Sequence, residues 1–84
     1  HYSLMIYRLA VAYNKDVTNN IFIPSESELI LRYRWLCKTL RISFPRFLII
    51  TEYVARGEIS EENLPDRLYE FLDVSSHVDK GFSF

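Results

Sequence analysis

Eighty-four residues make one domain, near the lower limit at which a chain folds without disulfides or metal, and at 49% apolar it can still build a core. The single cysteine, Cys37, excludes an internal disulfide framework and points to a reducing, intracellular compartment, cytoplasmic or nuclear. No uncharged apolar run approaches the roughly 20 residues that cross a bilayer, so no membrane partner is expected. The net charge of −1 hides an asymmetry: residues 29–56 carry six basic side chains against one acidic, and residues 57–84 carry seven acidic against two basic. Such a split marks either a polar binding surface or two elements that pack on each other.

The chain starts at His1 rather than methionine, which reads as a domain excised from a larger protein. Arg8 interrupts the apolar start and no small-residue cleavage site follows, unlike a signal peptide. Leu4 to Tyr13 places Met5, Leu9, Ala12 and Tyr13 on one helical face, with Ser3 as its N-cap. Its Tyr, Ile and Val content leaves a strand as the competing form. Residues 14–20 read as a polar loop, and Ile21 to Ile23 as an extended piece held by Pro24.

The second helix begins with the capping box Ser25 and Glu28, or one step later at Ser27. Leu29, Tyr33, Leu36 and Leu40 form its core face, with Ile30 and Cys37 at the edge. Arg34, Lys38 and Arg41 recur at i, i+4, i+7 on the far side, and Leu31 and Trp35 are an apolar pair that the core face leaves over.

Ser43 caps a third helix with Phe44 and Pro45 in its first turn, and Gly57 ends it. Phe44, Phe47, Leu48, Thr51, Val54 and Ala55 make one face, and Ile49, Ile50 and Tyr53 the other, so this helix is expected at the centre. Ser60 is the next cap candidate. Pro65 moves the start of the fourth helix to Asn63 or Leu64, after a loose turn at Glu61 and Glu62. Its core positions are Leu64, Leu68, Phe71 and Leu72, and Asp66, Glu70 and Asp73 repeat the basic spacing with opposite sign. Residues 75–84, with Phe82 and Phe84, read as an irregular tail. The expected fold is all-α: residues 1–84 as a single small bundle, or an orthogonal packing, of about four helices.

Nothing in the chain reads as an enzyme. Ser75, Ser76, His77 and Asp79 are sequence neighbours, whereas triads assemble across a fold. Glu61 and Glu62 fall on different helix faces. His1 and His77 are the only histidines, too few with one cysteine for a zinc site. Two isolated glycines make no phosphate loop, so no cofactor is expected. Cys37 is expected to be a buried structural thiol.

What remains is a helical protein-interaction module, self-association included, that uses Leu31, Arg34, Trp35, Lys38 and Arg41. Its partner would be an acidic or amphipathic helix of another protein, or a second copy of the chain. The alternative is a nucleic-acid-binding domain, with Ser25 to Gly57 drawn as helix-turn-helix. Against it stand a pI of about 6.1, a second helix of apolar rather than polar residues, and the acidic C-terminal third. A third arrangement needs no partner: Asp66, Glu70 and Asp73 cover the basic stripe within the monomer, and the first helix or the tail covers Leu31 and Trp35.

Overall fold

In a computed structural model the described residues form α1 (Tyr2–Asn19), α2 (Glu26–Leu40), α3 (Phe44–Ala55) and α4 (Leu64–Ser75), with a turn of 3-10 helix at Glu61–Asn63 leading into α4. The structure describes the backbone of residues 2–19 and 26–75, and their side chains except those of residues 2, 26, 69 and 71–75. The expected Ser25 cap, the extended piece before Pro24, the Phe71 and Leu72 core positions, the Asp73 side chain and the tail from residue 76 lie outside that set. The all-α expectation holds. α1 and α3 form the main packed pair, α4 lies against both, and α2 closes the other side.

α1 departs most from expectation. The residues read as a polar loop, 14–19, continue the helix to Asn19. Its buried positions are Ser3, Ile6 and Ala10, with Leu4, Tyr7, Leu9 and Tyr13 packed on the core and Met5 and Ala12 exposed. Ser3 is a buried position inside the helix, not its cap. The polar residues are helical because they reach inward. The Asn14 amide donates to the Thr51 carbonyl at 2.9 Å, tying α1 to α3. Asp16 accepts from the Tyr33 hydroxyl at 2.6 Å and forms an ion pair with Arg32, tying α1 to α2. A pattern read only for apolar periodicity ends this helix too early, because satisfied polar contacts hold its last turns.

α3 follows its signals. Ser43 is extended, its Oγ accepts from the Arg46 amide at 3.3 Å, and Pro45 sits in the first turn, where its missing N–H leaves no hydrogen bond unmade. The buried face is Phe44, Phe47, Ile50 and Thr51, which corrects the expected division, since Ile50 joins the Phe47 side and Leu48 faces outward. Pro65 likewise stands in the first turn of α4, and Leu64 and Leu68 are buried as expected.

The two helix ends at 40 and 56 use the same device. Ile42 N–H donates to the Cys37 carbonyl and Arg41 N–H to that of Lys38, and Glu58 N–H donates to Tyr53 and Gly57 N–H to Val54. Both are Schellman turns, which need a left-handed residue after the last helical one. Gly57 fills that place with φ 77°, where it meets no steric penalty, but Arg41 fills it with φ 59°. Burial of Ile42, at 4% exposure, helps hold the strained turn closed. Arg41→Gly is therefore expected to stabilise the fold by about 0.5–1 kcal/mol, the strain relieved outweighing the extra freedom of the unfolded chain. A urea midpoint that rises without a change in slope is the readout.

At the centre, four aromatic rings join three helices. Tyr33 and Phe47 lie nearly parallel with centroids 5.9 Å apart, and Tyr13 meets Tyr33 edge-on at 4.8 Å and Phe47 at 5.6 Å. Phe44 closes the cluster at 6.0 Å from Phe47. The Tyr33 ring is buried at 2% exposure, while its hydroxyl donates to Asp16 and accepts from Arg32 at 3.0 Å. Burial first, and then the hydrogen bond to Asp16, push the Tyr33 pKa up to about 12.

Two expectations follow. Asp16→Ala leaves the buried hydroxyl without its acceptor and should lower stability by about 1–3 kcal/mol, and by clearly less in a Tyr33→Phe background, as a double-mutant cycle of urea midpoints will report. The second concerns alkali. Below pH 10 both states keep the Tyr33 proton. Between about 10 and 12 the unfolded chain ionises while the folded one does not, so stability falls by about 2–3 kcal/mol across that window. Tyr33→Phe should remove this part of the pH dependence.

Candidate interaction surface

α2 is divided by its own period. Leu29, Tyr33 and Cys37 are buried at i, i+4, i+8, with Leu36, Leu40 and Ile30 packed beside them. Cys37 therefore lies at the centre of the core face, not its edge. Its burial pushes the thiol up to about 12, so it stays protonated and unreactive at neutral pH. Leu31 and Trp35 fall on the opposite side and are 64% and 65% exposed, the two most open large apolar side chains among the described residues.

The basic residues expected beside them divide in three ways. Lys38 is exposed in the last turn of α2 and has no side-chain partner among the described residues. Arg41 is also exposed and without a side-chain partner among the described residues, but it has left the helix for the left-handed turn and no longer continues the i, i+4, i+7 line. Arg34 is half-buried and interacts within the chain. Leu31, Trp35, Lys38 and Arg41 thus make an open apolar and basic strip, with Arg34 partly engaged at its border.

Asp66 and Glu70, the described members of the acidic counterpart, do not pair with this strip. α4 packs on α1 and α3, and Asp66 and Glu70 are exposed with no ion pair among the described residues. Ion pairs among the described residues join other positions: Arg8 with Glu61 at 3.3 Å, Arg32 with Asp16, and Arg56 with Glu52 at 2.6 Å and Glu58 at 3.6 Å. For Asp66 and Glu70, mirror-image spacing in sequence did not become contact in space, because the core face of α4 turns toward α1 and α3.

A feature the sequence pattern did not isolate lies next to the strip. Met5, Arg8, Leu9 and Ala12 of α1 and Leu36, Thr39 and Leu40 of α2 line an open groove of about 460 Å³. Met5, Leu9 and Ala12 are the α1 face expected in the core. The signal that could have separated groove from core is a second apolar line, Ile6 and Ala10, which is fully buried. A short helix with two apolar lines has one more than a single core needs. Thr39 joins groove to strip: it lines the groove, and its hydroxyl donates to the carbonyl of Trp35 one turn earlier, at 3.0 Å. Trp35 thus lies one turn before a groove residue, while neither Trp35 nor Leu31 lines the groove itself.

Among the described residues no three metal-ligating side chains come together, and no helix is long and apolar enough to cross a membrane. Comparison of the chain with protein-family models, curated proteins and solved structures gave no match.

Proposed function

We propose that this chain is a helical protein-interaction domain of the cell interior. In this reading the α2 strip of Leu31 and Trp35, flanked by Lys38 and Arg41 and bordered by Arg34, is its contact surface. The partner is an acidic or amphipathic helix of another protein, or a second copy. The observation that carries it is the 65% exposure of Trp35 beside an equally open Leu31. Tryptophan is among the side chains most enriched at the energetic centres of interfaces, and an open apolar pair one turn apart is more than the scattered exposure of an ordinary surface. Exposed cations at the rim speed encounter with an acidic partner and disfavour basic ones.

The nucleic-acid alternative fits less well. α3, the second helix of the pair, exposes Leu48, Glu52 and Ala55 where a recognition helix needs polar and basic groups. A photo-crosslinking aromatic in place of Trp35 is expected to form adducts with protein, and light scattering of the chain at several salt concentrations will show whether the partner is a second copy. Equal adduct yield from the same group at exposed Glu62 would contradict the proposal. A gel shift at low salt that depends on Lys38 and Arg41 would favour the nucleic-acid reading instead.

A further inference from the structure

The exposed face of α2 is symmetric about its middle, with charges of opposite sign at its two ends. Leu31 and Trp35 stand two residues before and two after Tyr33, and Glu28 and Lys38 stand five before and five after. All four are exposed, whereas Tyr33, on the opposite side of the helix, is buried. Their steps of three, four and three residues are those of a two-helix seam. A two-fold axis beside the middle of α2 sets residue against residue in reverse order. Leu31 then meets Trp35 of the other chain, and Glu28 meets its Lys38. We propose that the occupant of the α2 strip is a second copy of this chain, docked antiparallel through Leu31 and Trp35 with a Glu28–Lys38 pair at each end. This rests on the strip being the contact surface and names its partner.

Charge complementarity selects both the occupant and its direction. A uniformly acidic helix on this face gains at Lys38 and loses at Glu28, and a parallel copy sets like charges together at both ends. The antiparallel copy sets opposite charges together twice. Glu28 already interacts within its own chain, but an ionised carboxylate has two oxygens and about four acceptor sites, so it can serve both contacts. The flanking arginines carry like charge across the axis and oppose the pairing. Arg32 is ion-paired with Asp16, and Arg34 is half-buried and engaged within its chain, which limits that repulsion. Four side chains from each copy make a seam smaller than a permanent dimer needs, so the association is weak and reversible, with a dissociation constant of about 10 μM to 1 mM.

Sedimentation of the whole chain over about 10 μM to 1 mM reads the association, and the emission of Trp35, the sole tryptophan, reads its cover. Wild type should pass from monomer to dimer across that range while the emission moves to the blue. Lys38→Glu and Glu28→Lys should each weaken self-association at least about tenfold with unchanged circular dichroism. Both substitutions in one chain should restore it, because the opposite charges meet again with their places exchanged. An equimolar mixture of the two single variants should form the mixed dimer. Glu28→Gln, which keeps an oxygen acceptor at the start of α2, takes the place of Glu28→Lys if that variant disturbs the helix, and should weaken association about threefold.

A wild-type chain that stays monomeric up to about 1 mM overturns the second-copy inference. The α2 strip is then judged separately, by whether a photo-crosslinker in place of Trp35 captures a different protein. Self-association that Trp35→Ala leaves unchanged would put the dimer on another surface and overturn the inference as well. So would folded single variants that both lose association and a folded double variant that does not regain it.

Discussion

Phe47→Ala should unfold much of the population at physiological temperature. Phe47 is fully buried on α3, and its ring contacts Tyr13 of α1, Tyr33 of α2 and Phe44 of its own first turn. Truncation removes a fully buried ring that joins three helices. The expected loss of about 3–5 kcal/mol combines lost transfer energy with a cavity that the three remaining rings cannot close. A domain of this length has roughly 4–13 kcal/mol in all, so the loss is a large part of the total. The neighbouring Leu48, 37% exposed, is the control: Leu48→Ala should cost under about 1 kcal/mol. Urea titrations of both variants, followed by circular dichroism, check the difference. Similar midpoints for the two would mean that α3 is rotated from the orientation described.

Trp35→Ala with Arg34→Glu should do the reverse: leave the fold nearly unchanged and abolish partner capture or self-association. Trp35 covers nothing the core needs, and exposed substitutions usually fall within about 0.5 kcal/mol. At an interface centre, by contrast, a tryptophan truncation can remove about 2–4 kcal/mol of binding, and the charge reversal turns attraction to an acidic partner into repulsion. Arg34 is half-buried and engaged within the chain, so a parallel variant, Trp35→Ala with Lys38→Glu, separates a loss of binding from a local disturbance at Arg34. Both should show the melting behaviour of wild type and the same loss of binding. If both unfold, Trp35 is a core residue and this surface does not exist. If both bind as wild type, the strip has no part in recognition.

Much of the fold is readable in the sequence because its signals are local. Ser43 with Pro45, Gly57, and Pro65 after the Glu61 turn each fix a helix end by backbone chemistry within a few residues, and the structure has those ends within one residue. The Arg41 turn was hidden because its left-handed position is filled by arginine, whose presence carries no turn signal. α1 differs from its sequence pattern in both length and facing. Its length depends on Asn14 and Asp16 reaching Thr51, Tyr33 and Arg32, between 16 and 37 residues away in the chain, and no periodicity encodes such pairs. Its facing was ambiguous because Met5, Leu9 and Ala12 compete with Ile6 and Ala10 for the same core, and only tertiary packing decides.

The candidate site was readable in part for the same reason. Leu31 and Trp35 are surplus to a core face that α2 defines internally, so their exposure follows from the helical period alone. Whether the acidic triplet would cover the basic one depended on the rotation of α4, which its own sequence leaves open. The groove needed two helices at once, and no single segment announces it.

Acrylamide quenching of Trp35 across a range of protein concentrations tests the exposed strip most directly, since no second tryptophan contributes. In dilute, folded protein the indole should be quenched nearly as well as in the urea-unfolded chain, and protection should appear only as a partner helix or a second copy covers it. An indole shielded at every concentration, and released only when the helices unfold, would place Trp35 inside the bundle and leave no contact surface on α2.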